Sequence, residues 1–289
     1  MIHLEQFNNL SEKEIFSQLE KCCVSNTWIS NMIKSRPFVS SDDLISKAAN
    51  NWYQNCTEND FLEAFTGHPK IGNVESLKAK FSHTADWAMN EQAEVVEASL
   101  ETINALAAAN TAYEEKFGYI FIVSASGKSA EEMLAIVNAR LQHHIEDEMA
   151  VAMNEQHKIT VIRLLKLIDG LAESAAIHSH ITTHALDTSI GVPARHMLIT
   201  LKGFKNGEWK PISVGITDKN GRISDILPPG KLLKPTAYTM TFNTKNYYES
   251  CQKIGFYPEV SIQFTVTDES HYHIPLLINP FGYSTYRGS

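Results

Sequence analysis

Positive charge is scarce in this chain. Its 289 residues carry 25 Lys and Arg against 33 Asp and Glu, a formal net charge of −8. Nucleic acid and anionic membrane both require a basic face, so neither is an expected partner. Long apolar stretches are missing too. Runs such as Tyr119 to Val123 stop at five residues, far short of the about 20 that span a bilayer. The cysteines are few and scattered: Cys22, Cys23, Cys56 and Cys251 show no C-x-x-C spacing, which indicates neither a disulfide framework nor a zinc site. The opening residues Met1-Ile2-His3-Leu4-Glu5 lack the basic and then apolar order of a secretory signal, so a cytoplasmic protein is expected. Apolar material is plentiful: 43% of residues are hydrophobic, enough to bury real cores, and the length favours two domains.

Proline and charge are unevenly spread. Residues 1–170 hold 14 basic and 24 acidic side chains and only Pro37 and Pro69, while the shorter remainder is slightly basic and holds the other eight prolines. Proline breaks helix interiors, so its scarcity permits helices and its abundance suits strands joined by turns. Ser11-Glu12-Lys13-Glu14 and Ser129-Ala130-Glu131-Glu132 read as capping boxes. Helical spacing follows in Ile15, Phe16 and Leu19, and in Met133, Leu134, Ile136, Val137 and Leu141. Longer helices are predicted over 92–110, with a stripe of Val95, Val96, Leu100, Ile103, Leu106 and Ala107, and over 147–168, with Met149, Met153, Ile159, Ile162 and Leu165. From Ile181 the period becomes two, in Met197, Ile199 and Leu201, in Tyr238, Met240 and Phe242, and in Val260, Ile262, Phe264 and Val266. Turn signals lie between them at Lys205-Asn206-Gly207, Asp218-Lys219-Asn220-Gly221 and Pro228-Pro229-Gly230. The expectation is a multidomain chain: an all-α domain over 1–168, a linker over 169–180, and an all-β antiparallel sandwich or barrel over 181–289.

In the β half, polar residues interrupt the apolar pattern. His184 sits in the first strand, Arg222 follows a turn, and His271 and His273 share one face of a strand because side chains alternate. Singly, each has an ordinary reading as a hydrogen-bonded or solvated residue. His178, His180 and His184 also raise a metal reading, which their placement in a linker and the lack of an accompanying carboxylate weigh against. Together, Ile181-Thr182-Thr183-His184-Ala185-Leu186-Asp187-Thr188, Thr217-Asp218-Lys219-Asn220-Gly221-Arg222 and the tail from His271 to Ser289 closely resemble the 5-hydroxyisourate hydrolases, the transthyretin-like enzymes. The resemblance implies a transthyretin-like sandwich, catalytic roles for His184, Arg222 and His273, and substrate contact by Tyr286. It also implies a tetramer whose central channel carries the sites, and no metal. Asn279 departs from the family's usual serine, outside the catalytic set. Histidine titrates near neutrality and serves as acid or base, while a guanidinium stabilises developing oxyanion charge. A carrier on the same fold is the rival reading.

In the helical half, three elements stand out: Gly67-His68-Pro69-Lys70-Ile71-Gly72, then Trp87-Ala88-Met89-Asn90-Glu91-Gln92, then Phe117-Gly118-Tyr119-Ile120-Phe121-Ile122-Val123-Ser124-Ala125. With Glu155-Gln156-His157-Lys158-Ile159 and Arg163-Leu164, their order and spacing resemble the 2-oxo-4-hydroxy-4-carboxy-5-ureidoimidazoline (OHCU) decarboxylases, an all-helical family. The resemblance implies catalysis by His68 with Glu91, and substrate binding by Gln92 and Arg163. Pro69, Ala88, Met89 and Asn90 would border the substrate, and Phe121, Ile122, Val123, Ser124 and Ala125 would line the pocket. Dimer contacts through this half are also implied. Ala88 and Ser124 depart from the family's usual serine and cysteine. No cofactor motif is present; the substrate's own imine serves as electron sink. The hydrolase product is the decarboxylase substrate, so the two resemblances together imply a bifunctional enzyme of urate degradation forming (S)-allantoin. The alternative is an active decarboxylase fused to a non-catalytic binding module.

Overall fold

The computed structural model describes residues 1–68, 77, 93–125, 128–173 and 178–288. Its helical part contains α1 (Leu4–Asn9), α2 (Glu12–Glu20), α3 (Asn26–Lys34), α4 (Ser41–Asn55), α5 (Glu58–Thr66), α6 (Ala93–Phe117), α7 (Ala130–Arg140) and α8 (Ile145–Leu167). Both expected capping boxes form. Ser11 and Ser129 receive the amides of Glu14 and Glu132, whose carboxylates accept the serine amides in return. Trp28, Trp52, Phe7 and Phe65 fill one core, and Leu106, Tyr113, Met133 and Val137 a second beside it. No helix among the described residues is long and apolar enough to cross a membrane.

Two helices differ from expectation. Helix α6 runs to Phe117, because Ile103, Leu106, Tyr113 and Phe117 continue the buried stripe, whereas Leu100 is exposed. The side chains of Val95 and Val96 lie outside the described residues. On α8 the expected apolar stripe of Met149, Met153, Ile159, Ile162 and Leu165 is only half-buried. The fully buried positions include Glu148, Asn154, Glu155, Gln156, His157 and Lys158. The physical reason is enclosure: α4 and α5 pack on one side of α8 and a β-strand on the other, so no residue from Val151 to Leu165 is exposed.

That strand belongs to the second part, a sandwich of two sheets. Strands β1 (Ile181–Asp187), β2 (Val192–Pro193), β8 (Tyr272–Asn279) and β9 (Gly282–Thr285) form one sheet in the order β2-β1-β8-β9, with β5 (Arg222–Ile223) also paired to β1. The other has the order β4-β3-β6-β7, from β3 (Leu198–Lys205), β4 (Glu208–Ile216), β6 (Thr236–Phe242) and β7 (Val260–Val266). Met197, Ile199, Leu201, Met240 and Phe242 meet Ile181, Ala185 and Leu276 between the sheets. One short helix, α9 (Thr244–Ser250), interrupts the otherwise all-β segment. One pairing departs from the antiparallel expectation, since β1 runs parallel to β8.

The segment read as a linker is anchored at both ends. Leu171 packs in the helical core. Ser179 Oγ accepts the Leu227 amide and His180 Nδ1 the Leu233 amide, both at 3.0 Å. The two parts meet along α8. A bulge near Leu201 and Lys202 leaves Ile212 of edge strand β4 without a ladder partner, and Asn154 Nδ2 donates to its carbonyl at 2.6 Å. Lys231 lies 3.7 Å over the Tyr53 ring. His157, wholly buried, donates from Nε2 to the Pro229 carbonyl at 3.0 Å.

Burial, with Lys231 nearby, pushes the His157 pKa down to about 3 from an ordinary 6.5. The unfolded chain therefore takes up a proton first as acid is added. Stability is complete above about pH 6.5 and is lost toward about pH 3, at roughly 1.4 kcal/mol per pH unit from this residue. Thermal denaturation at about pH 7 and about pH 5 tests this: the His157→Gln variant, which keeps a donor for Pro229, should lose clearly less melting temperature between the two than the parent.

Candidate active sites

The parallel pairing of β1 with β8 builds the first site. In its register Thr182 lies opposite His273 and His184 opposite Pro275. On the other side of β1, β5 runs antiparallel and sets Arg222 opposite His184. Directly opposed residues share a sheet face, so His184, Arg222, His273 and Thr182 converge on the outer face. Ile181, Thr183 and Ala185 point into the core instead.

The turn before Arg222 is rigid. Asp218 Oδ1 accepts the amides of Asn220 and Arg222, both at 2.8 Å, and the Gly221 carbonyl accepts the Ala185 amide at 2.8 Å. Gly221 has φ +72°, and a Cβ there would lie 2.3 Å from the Ala185 carbonyl oxygen, so only glycine fits. The chain's end returns along β8. Thr285 Oγ1 donates to the Pro275 carbonyl at 2.7 Å and the Gly288 amide to the His273 carbonyl at 3.0 Å. A Cβ on Gly288 would lie 2.5 Å from His273 Cδ2, so the terminal glycine lets the tail close over that ring. Tyr286 beside it is exposed.

Burial and neighbouring charge both disfavour the cationic form of the two histidines. Burial and then the Arg222 guanidinium push the His184 pKa down, against the Asn220 backbone and Asp218 carboxylate. For His273, burial, Arg222, His184 and His271 all act downward. His184 Nε2 is buried and meets no partner among the described residues. A cationic guanidinium beside two neutral imidazoles suits base catalysis with oxyanion stabilisation. The histidines considered as metal ligands do not gather: His180 turns its Nδ1 to Leu233 while His184 faces outward. Among the described residues no three His, Cys, Asp or Glu side chains are placed to hold a metal.

The second site centres on α8. His68, just past α5, is half-buried with Nε2 2.6 Å from Gln156 Oε1. Thr160 Oγ1 donates to the Gln156 carbonyl and accepts from Gln156 Nε2, so the glutamine turns its oxygen to His68 and His68 Nε2 is the donor. Nδ1 meets no partner among the described residues and, with the hydrogen on Nε2, carries the lone pair of the neutral ring. Arg163 lies seven residues beyond Gln156, two helical turns along the same face. It donates to the Cys22 carbonyl at 3.2 Å and is near enough to act on His68. Burial first, then Arg163, lowers the His68 pKa, while the Gln156 bond raises it.

Residues 121–125 lie outside any helix or strand and are held by buried charges. Arg140 donates to the Ile122 carbonyl at 2.7 Å and pairs with Glu148, both side chains fully buried. The Ser124 amide donates to Glu155 at 2.7 Å, and Lys158 closes the network on Glu155 at 2.7 Å. The Ser124 amide and Ile122 carbonyl are therefore committed within the protein. Phe121, Val123 and Ala125 are half-buried beside them. Pro69, Ala88, Met89, Asn90, Glu91 and Gln92 lie outside the described residues.

The OHCU decarboxylase family model matches residues 8–165, and that match covers more than half the chain. The chain belongs to the OHCU decarboxylase family. Residues 181–288 match the HIUase/Transthyretin family in tandem with it. The Arabidopsis thaliana uric acid degradation bifunctional protein TTL is 31% identical over 93% of this chain and 96% of its own length. A 5-hydroxyisourate hydrolase of Salmonella dublin is 37% identical over 45% of this chain and 95% of its own. A crystal structure of (S)-allantoin synthase aligns over all of both chains at 24% identity with a TM-score of 0.46.

Three residues beside these sites carried no role in the sequence reading. Gln156 lay within a quoted segment, but only the fold puts it against His68. Thr182 bonds to both His271 and His273; Thr182 and His271 each stand two residues before a site histidine, and the period of two could have found them. The His68 contact gives a test by NMR titration. Gln156→Leu removes the bond that favours the cation and should lower the His68 pKa further, whereas Gln156→Glu should raise it above the parent value.

Proposed function

We propose that the chain catalyses two consecutive steps of urate breakdown. It hydrolyses 5-hydroxyisourate to OHCU in the C-terminal domain, residues 181–289, and decarboxylates OHCU to (S)-allantoin in the N-terminal domain, residues 1–168. The carrying observation is the tandem match of one chain to both families, along nearly the whole length of a bifunctional urate-degrading relative. The chain is an enzyme with hydrolase and carboxy-lyase activities.

In the hydrolase, a neutral His273 or His184 takes a proton from water as its oxygen adds to the ring carbonyl. Arg222 stabilises the resulting oxyanion through paired donors. Collapse breaks the carbon–nitrogen bond, the ring nitrogen takes the proton from the histidine, and the new carboxyl group loses its remaining proton to solvent to become a carboxylate. Tyr286, exposed at the end of the returning tail, contacts substrate. The site's face is open in a single protomer, which supports a homotetramer that closes it with another copy. In the decarboxylase, the carbon–carbon bond to the carboxylate breaks and carbon dioxide leaves. The electron pair moves into the ring imine, and protonation on one face fixes the product's hand. His68 takes a proton from solvent at its bare Nδ1, passes it to the substrate carbon and returns to the neutral ring, its Nε2 hydrogen held by Gln156 throughout. Arg163 holds a carboxylate or ring oxygen. Glu91 and Gln92 orient the substrate, and Pro69, Ala88, Met89, Asn90 and residues 121–125 shape the pocket. Substrate contact in this domain rests on resemblance.

Freshly generated 5-hydroxyisourate followed by ultraviolet absorbance and circular dichroism reads both steps. The parent should speed loss of the first species and give the dichroism of (S)-allantoin. His273→Asn should slow ring opening by about 10²-fold or more and spare decarboxylation, and His68→Asn should do the reverse. Ring opening no faster than in buffer would return the β-domain to the binding-module reading. Gly288→Ala should also depress ring opening, by about tenfold or more, because the new methyl group displaces the His273 ring.

A further inference from the structure

The hydrogen bonds around Thr182 determine where three protons sit. The Ser179 carbonyl, 3.1 Å from His271 Nδ1, can only accept, so that nitrogen carries a hydrogen. A neutral His271 then presents a lone pair at Nε2, 3.0 Å from Thr182 Oγ1, and the threonine hydroxyl donates to it. The remaining Thr182 lone pair faces His273 Nδ1 at 2.8 Å, so His273 also carries its hydrogen on Nδ1. Its Nε2 is left bare. The β1–β8 register holds this chain together: Thr182 stands opposite His273, and His271 precedes His273 by two residues.

We propose that Thr182 and His271 are positioning residues of the hydrolase: they hold His273 in the tautomer whose Nε2 is the base, and they relay its proton away from the site. This rests on the hydrolase reading above. As water oxygen bonds to the ring carbonyl carbon, the water proton goes to His273 Nε2. The His273 Nδ1 hydrogen passes to Thr182 Oγ1, and the Thr182 hydroxyl hydrogen passes to His271 Nε2. His273 ends neutral, Thr182 ends a hydroxyl, and the positive charge rests on His271. When the ring carbon–nitrogen bond breaks, the departing nitrogen takes the His273 Nε2 hydrogen and the two relay transfers reverse, so His271, Thr182 and His273 regain their starting protonation.

The surroundings favour that division. His273 faces Arg222, His184 and His271 and is half-buried, all of which oppose a positive charge on its ring. His271 is exposed. It faces His180, and it lines an open cleft of about 620 Å³ together with Thr182, His178, Lys231 and the carboxylate of Glu269. A cation there meets water and the Glu269 carboxylate, with the Lys231 ammonium across the cleft, whereas one on His273 would meet the Arg222 guanidinium within the half-buried site.

Thr182→Val keeps the β-branched shape and removes the relay; Thr182→Ser keeps the hydroxyl. Nitrogen-15 NMR of the histidine rings in the full chain reads the tautomer directly. The parent should show His273 protonated on Nδ1, and Thr182→Val should show a mixture with the Nε2 form. In kinetics, Thr182→Val should lose about 10²-fold in ring-opening kcat with KM within about twofold, Thr182→Ser should recover most of it, and OHCU decarboxylation by the same chain should stay constant. His271→Phe should match Thr182→Val in kcat. A parent His273 protonated on Nε2, or a Thr182→Val variant with parental kcat, would overturn the proposal. Absence of ring opening in the parent would strike the hydrolase reading instead, and the tautomer measurement tells the two failures apart.

Discussion

From Val151 to Leu165 no residue of α8 is exposed, so the polar side chains buried there depend on partners within the protein. Lys158 and Glu155 are both buried, and each is tolerable only because the other is there. The pair is then put to use, since Glu155 also takes the Ser124 amide and holds the segment 121–125. One residue on, Gln156 reaches His68. Asn154, one residue before, covers a bulged carbonyl on the β-sandwich, and His157 meets the Pro229 loop. Four consecutive polar residues thus serve a strut, a site and an interface, which lie in different directions around the helix axis.

The sandwich rests on a comparable economy. Strand β1 gives one face to the core through Ile181, Thr183 and Ala185 and the other to chemistry through Thr182 and His184. Parallel pairing with β8 and antiparallel pairing with β5 bring His273 and Arg222 to that second face from residues far apart in the chain. Backbone ladders position every member of the group, so the geometry of the candidate site is inherited from strand register and not from loops.

Much of this was legible before any fold. The change of period near Ile181 separated helices from strands, and both capping boxes marked true helix starts. His184, Arg222 and His273 stood out because polar side chains interrupted an apolar alternation. The buried face of α8 was not legible, since periodicity marks apolar stripes and an enclosed stretch of helix hides its polar residues equally well. Nor was the parallel pairing, because alternation within a strand says nothing about its neighbour's direction. Gln156 illustrates the rest: its contact spans 88 positions of sequence, and no local pattern encodes it.

The Asn154 bond to the Ile212 carbonyl bears on how the two parts could ever be separated. Strand β4 is a sheet edge, and the helical part is what covers it. A sandwich cut free near residue 180 would expose that edge to pairing with other chains. The severed helical part would turn Asn154, His157 and the Lys158–Glu155 pair toward water, where their mutual attraction weakens. The tandem arrangement is therefore more than two enzymes sharing a transcript. Each half shields a surface that the other half could not leave bare.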